Sequence, residues 1–537
     1  MYHSKTIDIK AVDILFSYCT DATIGSKCMY NTANFYIRNT MTGLAKEKEG
    51  IPLSINEKKV LRAVRKFLRL ANLRKRKRVK KKVAKIFADE SLSADEIAKK
   101  ILTIKKNYKE FKFPSATNWM LSYEMLDAIF KLSRNPDYYN ELVSSHAIQN
   151  AVRDCTNAWK AYFKSLTDYK RSPKKYLGKP RIPKYIHGDK HTAKLSYQVC
   201  EVKDKTVKLP LTKKELIVGD SLLKGLQLIE IKIVPYFGYF QIHIVTDDGL
   251  PDPYVVAADT KNKVKPGYHS SDSNDDVIDS TKLDIKPGDG VMLIDLGLNN
   301  FAAIADNKGH MPILIKGGFL KARNQWYNKK ISFLRSEQMK GHNPKVYHPP
   351  FSKTMNQILR KRNVFIRDAF FKIAHYICRT ASSNGVKFII VGKNKNWKQN
   401  INIGHKNNQE FVQIPHAMFI NTLRSVSREY GIMVDTVEEA YTSKASFLDN
   451  DPIPDYEEKT AGTHSFSGKR KHRGLYVSAD SITINADING ACNIGRKYSE
   501  SVFCDVEDFS YLYGKIKVVN FKNFYMLNKK QHEPKSA

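Results

Sequence analysis

Long apolar runs, paired cysteines and acidic residues are what this 537-residue chain is short of. No stretch of the ~18 consecutive apolar residues that a spanning helix needs is present, so no membrane partner is expected. Met1 to Leu15 has no basic segment leading into an apolar one, so secretion is not expected and a cytoplasmic, nucleoid-associated place is. The seven cysteines (Cys19, Cys28, Cys155, Cys200, Cys378, Cys492 and Cys504) include no C-x-x-C pair. That spacing excludes a disulfide frame and a four-thiolate zinc site, and suits isolated reduced thiols. No internal repeat is visible. Acids number 54 against 90 Lys and Arg, a formal net charge of +36. Such a surplus repels itself unless it meets a polyanion, and nucleic acid gains affinity with each phosphate neutralised.

What is present is a globular composition, 42% hydrophobic, long enough for about two to four domains. From Asn31 to Lys170 the pattern is mostly helical. Ser54 to Phe87 holds good helix formers and a dense basic run, Arg74, Lys75, Arg76, Lys77 and Arg78, then Lys80, Lys81 and Lys82. With the whole-chain charge, this run reads as a phosphate-tracking helix. Ser93-Ala94-Asp95-Glu96 fits a capping box that opens a further helix through Ile97 to Lys106. Ala147 to Leu166 carries apolar residues near helical spacing and reads as core.

The character changes at Ser172-Pro173. A basic, turn-rich passage, Tyr176 to Pro183, is followed by short alternating runs at Lys194–Cys200, Thr206–Leu209, Leu228–Val234 and Tyr239–Val245, expected to be strands of a small barrel or sheet. Asp247 to Asp289 is polar and reads as a linker. Beyond it come strands at Val291–Leu296, Phe301–Ala305 and Ile313–Ile315, helices at Phe319–Arg335 and Thr354–Ser382, a strand at Val386–Val391, a helix at Pro415–Tyr430 and a strand at Met433–Val437. Strand meander, helix, strand, helix, strand is the RNase H order.

Nucleases of that order gather carboxylates from distant segments, because Mg²⁺ is a hard cation that takes oxygen ligands. Two such ions activate water and stabilise the leaving oxygen of a scissile phosphate. Asp295 ends an apolar strand in Ile294-Asp295-Leu296-Gly297 and is followed by a tight return into a second strand. Asp487 lies in Asn485-Ala486-Asp487-Ile488-Asn489-Gly490, where it could also serve as a helix cap. Asn489 and Asn493 share one face of that helix. A third acid should end Phe388–Val391, but Gly392 and Lys393 stand there. The next acids in place are Glu438 and Glu439, at the end of the neighbouring strand. Alternation sends them to opposite faces, and either could be the inward one.

Ile294-Asp295-Leu296-Gly297-Leu298 resembles the first RuvC motif of the transposon-associated TnpB family. Asn485-Ala486-Asp487-Ile488-Asn489-Gly490-Ala491 resembles its third, and Ala440-Tyr441-Thr442-Ser443-Lys444 resembles the block before its zinc ribbon. Asn396-Trp397-Lys398-Gln399 and Val412-Gln413-Ile414-Pro415 resemble one branch of the family. Asn31-Thr32-Ala33-Asn34 and Gly178-Lys179-Pro180-Arg181-Ile182-Pro183-Lys184 are weaker echoes.

The resemblance implies a multidomain α+β protein. It would have the N-terminal part of a wedge β-barrel at 1–30 and a helical recognition domain at 31–170. The rest of the wedge barrel would occupy 171–248 and a polar linker 249–289. A RuvC, RNase H-like α/β domain would follow at 290–440, with a degenerate zinc ribbon at 441–474, the final RuvC helix at 475–500 and a tail at 501–537. It implies a guide RNA and a double-stranded DNA target with an adjacent motif as partners, and two Mg²⁺ per RuvC site. Asp295, Glu438, Glu439 and Asp487 are the candidate catalytic and metal-ligating residues. Lys179, Arg181, Lys184, Trp397 and Lys398 join the basic run as nucleic-acid contacts. The sequence departs from the family at Gly392, where the second-motif Glu should stand. It departs again in the ribbon, where Ser446 and Asp449 replace cysteines, so zinc is not expected. A compact type V CRISPR effector and a nuclease-dead DNA-binding regulator are the alternative readings.

Overall fold

The computed structural model describes residues 2–89, 91–203, 205–218, 226–249, 283–343, 346–393, 414–455, 464–472, 474–522 and 524. The chain divides into two compact units, Met1–Pro251 and Asp252–Ala537.

The first unit opens with strand β1 (Tyr2–Ile9) and five helices: α1 (Phe16–Glu49), α2 (Ile55–Phe87), α3 (Ala94–Asn107), α4 (Tyr123–Ser133) and α5 (Ser145–Arg171). The helical stretch expected from Asn31 therefore begins at Phe16. Capping boxes start α2 at Ser54 with Glu57 and α3 at Ser93 with Glu96, each satisfying first-turn N–H groups that helices leave without partners. Strands β2 (Ala193–Ser196), β3 (Glu201–Lys203), β4 (Thr206–Lys208), β5 (Glu215–Ile217), β6 (Gln227–Tyr236) and β7 (Tyr239–Asp247) follow. The run expected as one strand over Lys194–Cys200 stops at Ser196 and turns through Tyr197–Val199. The sheet order is β1-β7-β6-β2, all antiparallel, with β3-β4-β5 as a separate small sheet. Among the described residues this is an open sheet, one of the two arrangements expected, and the wedge barrel is not shown. Its edge strands β1 and β2 do not pair, and apolar residues of α1, α5 and the sheet share one core around Met29, Trp159, Ile231 and Ile242.

The second unit is built on a six-stranded mixed sheet. Its strands are β8 (Val291–Leu296), β9 (Asn300–Asp306), β10 (Ile313–Lys316), β11 (Phe388–Gly392), β12 (Met433–Val437) and, from the C-terminal tail, β16 (Lys517–Val519). The order is β12-β11-β8-β9-β10-β16. β8, β9 and β10 form an antiparallel meander, whereas β11 pairs in parallel with both β8 and β12. The crossovers are α6 (Gly318–Met339) with α7 (Lys353–Ser383), then α8 (His416–Glu429). A three-stranded ribbon, β13 (Lys469–His472), β14 (Leu475–Val477) and β15 (Thr483–Ile484), leads into α9 (Ala486–Tyr498).

The two faces of this sheet carry different cores, as strand alternation requires. Met292, Ile294, Ile389 and Val391 pack toward α7 and α8. Val291, Leu293, Phe388 and Ile390 pack against Ala491, Ile494 and Tyr498 of α9. Residues 283–289, expected as linker, join this second face. Ile285 is buried there, and Leu283 N–H donates to Tyr498 Oη at 2.6 Å. Among the described residues no helix is long and apolar enough to cross a membrane.

Candidate active site

The parity that turns Val291 and Leu293 toward α9 also turns Asp295 toward it. The approach is close enough to require glycine. A Cβ on Gly490 would lie 2.8 Å from Asp295 Oδ2. Asp487 stands one turn before Gly490 on the same helix face. It is not the cap: Asn485 is, with its side chain accepting from Asp487 N at 3.0 Å and Ile488 N at 3.3 Å. The Asp487 carboxylate is therefore left for other partners, accepting from Asn300 Nδ2 at 2.7 Å and lying 3.5 Å from Arg470 of β13. Lys316 donates to Asn300 Oδ1 at 2.8 Å, which fixes the amide with its NH₂ toward Asp487.

The two aspartates act on each other. Burial, and then the negative charge of Asp487, push Asp295 up to about 7, with Arg470 partly opposing. An acid raised in this way sits where a cation would be favourable. A cleft of about 310 Å³ opens beside the pair, lined among others by Lys316, Arg470, Asn300 and Asp487.

Beside Gly392 stands the carboxylate of Glu439. A Cβ on Gly392 would fall 2.8 Å from Glu439 Oε2 and 2.5 Å from Ile494 Cδ1. The Glu439 carboxylate thus occupies space that a side chain on the end of β11 would fill. Parity explains which of the two glutamates arrives. Met433 and Val437 pack on the α9 face, and Asp435 accepts there from Tyr498 Oη at 2.7 Å. Continuing by twos places Glu439, not Glu438, on that face. Lys393 N–H to Val437 C=O, 2.8 Å, holds the two strand ends together.

All these donors are carboxylate oxygens, the set a hard divalent cation takes. Among the described residues no group of three or more His, Cys, Asp or Glu forms a ready-made metal cage. Mg²⁺ does not need one, because it is commonly held by one or two carboxylates together with substrate phosphates. The pair Asp295 and Asp487, with the cradle that Gly392 leaves for Glu439, fits such an ion.

The remaining expected contacts fall elsewhere. Arg74, Arg76, Lys77, Arg78, Lys80, Lys81 and Lys82 are exposed on the second half of α2. Arg76 is committed to a bidentate pair with Glu110 at 2.6 and 2.9 Å, and Lys75 lies 3.3 Å over the Phe111 ring. Lys179, Arg181 and Lys184 are exposed, and Trp397 and Lys398 lie outside the described residues. Sequence reasoning passed over Gly490, Asn300, Lys316 and Arg470. Gly490 and Asn300 had a signal, since Gly490 lies within the Asn485–Ala491 motif and Asn300 stands two residues after the Ile294–Leu298 motif. Arg470, which comes from the ribbon, had none.

Two family models match the chain, and both match in this unit. Residues 285–398 match OrfB_IS605, described as a probable transposase, and residues 416–494 match the Cas12f1-like TNB domain. Both agree with the resemblance to TnpB and to its compact type V relatives. No curated protein matches. Solved structures with similarity include a Cas12f1–sgRNA–target DNA complex (12% identity, 92% of this chain and 98% of that one, TM-score 0.39). A CRISPR-Cas12f ternary complex (14%, 79% and 81%, 0.29) and an AacC2c1–sgRNA binary complex (11%, 82% and 70%, 0.30) are also similar. Overlaps this low assign no fold by themselves. The family matches support an RNA-guided nuclease kind of protein.

Proposed function

We propose that this chain is an RNA-guided DNA endonuclease whose RuvC-like, RNase H-type site lies between β8, the ends of β11 and β12, and α9. The observation that carries this reading is the convergence of Asp295 and Asp487 from segments nearly two hundred residues apart, with Gly490 leaving the room. Asp295, Asp487 and Glu439 would hold Mg²⁺, which supplies an activated water and charge stabilisation at the leaving oxygen. Asn300 orients the Asp487 carboxylate. Lys316 and Arg470 set positive charge in the cleft where a phosphodiester would enter. The exposed lysines and arginines of α2 would track phosphates of the guide or of its hybrid with the target. A short motif beside the target would complete recognition. The match to a Cas12f1-like domain favours a compact effector that takes its guide from a repeat array as the second reading.

The test is co-expression with the flanking genomic DNA, sequencing of the RNA that copurifies, and challenge with a plasmid carrying the matching target and Mg²⁺. Guided cutting is expected. Tight guided binding with an intact plasmid would instead identify a DNA-binding regulator, with Gly392 as the reason.

A further inference from the structure

Asn31–Asn34 and Gly178–Lys184, the two weakest echoes in the sequence, are brought into contact by the fold. Asn31 clamps the main chain of Ile186 from both sides, Nδ2 donating to Ile186 C=O at 3.0 Å and Oδ1 accepting from Ile186 N–H at 2.8 Å. Asn34, fully buried, donates to Pro183 C=O at 3.3 Å. Its own amide is fixed by Trp159 Nε1–H, which donates to Oδ1 at 2.9 Å. Arg38 donates to the same Pro183 carbonyl and lays its guanidinium 4.9 Å over the Tyr185 ring. The ends of the segment are pinned as well. Tyr176 Oη donates to Asp168 at 2.7 Å, and His191 N–H donates to Thr23 C=O at 3.0 Å.

Between these pins the backbone has little freedom. Pro180 and Pro183 fix their own φ, and each drives the preceding residue, Lys179 and Ile182, into extended conformations. Residues 179–187 form neither helix nor strand. The inward positions, Ile182, Pro183, Tyr185 and Ile186, are half-buried, whereas Lys179, Arg181, Lys184 and His187 are exposed. Arg181, Lys184 and His187 recur every third residue. At the roughly 3.1 Å rise of an extended proline-type chain, that spacing is about 9 Å.

We propose that residues 178–187 form a preorganised strap for the phosphodiester backbone of a bound nucleic acid, with Arg181 and Lys184 as phosphate contacts and Asn31 and Asn34 as positioning residues. This rests on the nucleic-acid reading above, in which Arg181 and Lys184 are expected contacts, and adds the ordered backbone and the Asn31 and Asn34 clamp that would position them. A strap ordered before binding avoids the entropy cost of fixing long cationic side chains on a loose loop. The backbone contacted belongs to the guide RNA or to the target DNA, and the chemistry is common to both.

The test measures salt dependence of binding with the full-length chain. One arm uses the RNA that copurifies with it, transcribed and added back. The other uses the matching DNA duplex added to the assembled complex. The double variant Arg181→Ala/Lys184→Ala is expected to lower the slope of log affinity against log salt by about 1.4 to 1.8, since each lost phosphate contact removes about 0.7 to 0.9. Asn31→Ala removes no charge and is nevertheless expected to lower the slope by about half as much, because the strap loses its register. A purely structural asparagine would not move that quantity.

A slope change confined to the RNA arm assigns the strap to the guide, and one confined to the duplex arm assigns it to the target. Wild-type slopes for the double variant in both arms overturn the strap. An effect of the double variant with none from Asn31→Ala overturns the clamp. Arg181 and Lys184 are exposed, so their removal reads out on a folded protein. Failure of the wild type itself to bind either nucleic acid overturns the functional reading and the strap together, and is visible before any variant is compared.

Discussion

At Gly392 the lack of a side chain decides which acid can serve the site. Gly392 at the end of β11 faces Ile494 of α9, and the Glu439 carboxylate lies where a side chain on Gly392 would begin. Glu439→Gln is therefore expected to slow guided cleavage by on the order of 10²-fold, and Glu438→Gln by less than about threefold. Single-turnover rates decide between them, and equal rates for both variants and wild type would remove the glutamate from the site. Restoring an acid on β11 alone should not help. Gly392→Glu places its Cβ against Ile494 and Glu439 and costs about 1–3 kcal/mol in overpacking. Paired with Glu439→Gly, it should recover part of the lost activity.

Asp295 gives a pH prediction whose sign is the reverse of the usual carboxylate case. Its value is raised to about 7 in the folded protein, above the ordinary value near 3.8. The folded state then holds a proton that the unfolded state has lost. In metal-free buffer the contribution of this one group to stability is greatest below about pH 4 and falls as pH rises to about 7, opposite in sign to that of Glu57 and Asp154, whose values are lowered. Asp295→Asn should flatten that dependence in thermal melts. Mg²⁺ should raise the melting temperature of the wild type above pH 7 and leave Asp295→Asn unchanged.

Among the elements, α9 is the organiser of the second unit. Asn489 and Asn493 are fully buried, and their side chains tie down the 442–447 loop. Asn489 accepts from Phe447 N–H at 2.9 Å and donates to Ala445 C=O at 2.8 Å, and Asn493 donates to Thr442 and Ala445 C=O at 2.9 and 2.7 Å. In the region where a zinc ribbon would place thiolates, a carboxylate stands instead. Asp451, buried, accepts from Ser446 N–H at 2.7 Å and from the N–H and hydroxyl of Ser467. Asp449 accepts from Ala479 N–H at 2.9 Å. We expect this network to close the ribbon without zinc. Asp451→Ala, which strands a buried N–H, should cost about 1–3 kcal/mol in a denaturant melt. A chelator should leave the melting temperature unaltered, and stoichiometric zinc by elemental analysis would contradict the expectation.

These elements also show what the sequence could and could not carry. Strands β8 to β11 were legible because strands buried on both faces read as nearly continuous apolar runs and the helices between them keep their period. The start of α1 was not, since Phe16 to Tyr30 mixes Ser, Thr, Gly and Cys whose burial depends on packing. The choice of Glu439 was legible in principle. It needed only the parity of β12, but that parity could be set only by knowing that α9 covers the face holding Asp435. Arg470 reaches Asp487 through tertiary placement of a ribbon, which no local pattern announces.

At the scale of the whole molecule, a chain with a surplus of 36 positive charges carries a candidate site made of acids. The cationic surface would draw in a polyanion, and the acidic cluster would need divalent cations before a phosphodiester could come close. Guided binding should therefore weaken steeply with salt whether or not the site is intact, whereas loss of a carboxylate should abolish cutting in a complex that is already bound. The most direct test is single-turnover cleavage of a guided duplex in Mg²⁺ by wild type, Asp295→Ala and Asp487→Ala, with binding measured on the same complexes. We predict unchanged binding and a loss of cleavage of about 10³-fold or more in each variant, several kcal/mol of transition-state stabilisation. Cleavage persisting at the wild-type rate in either variant would contradict the claim that these two aspartates form one catalytic site.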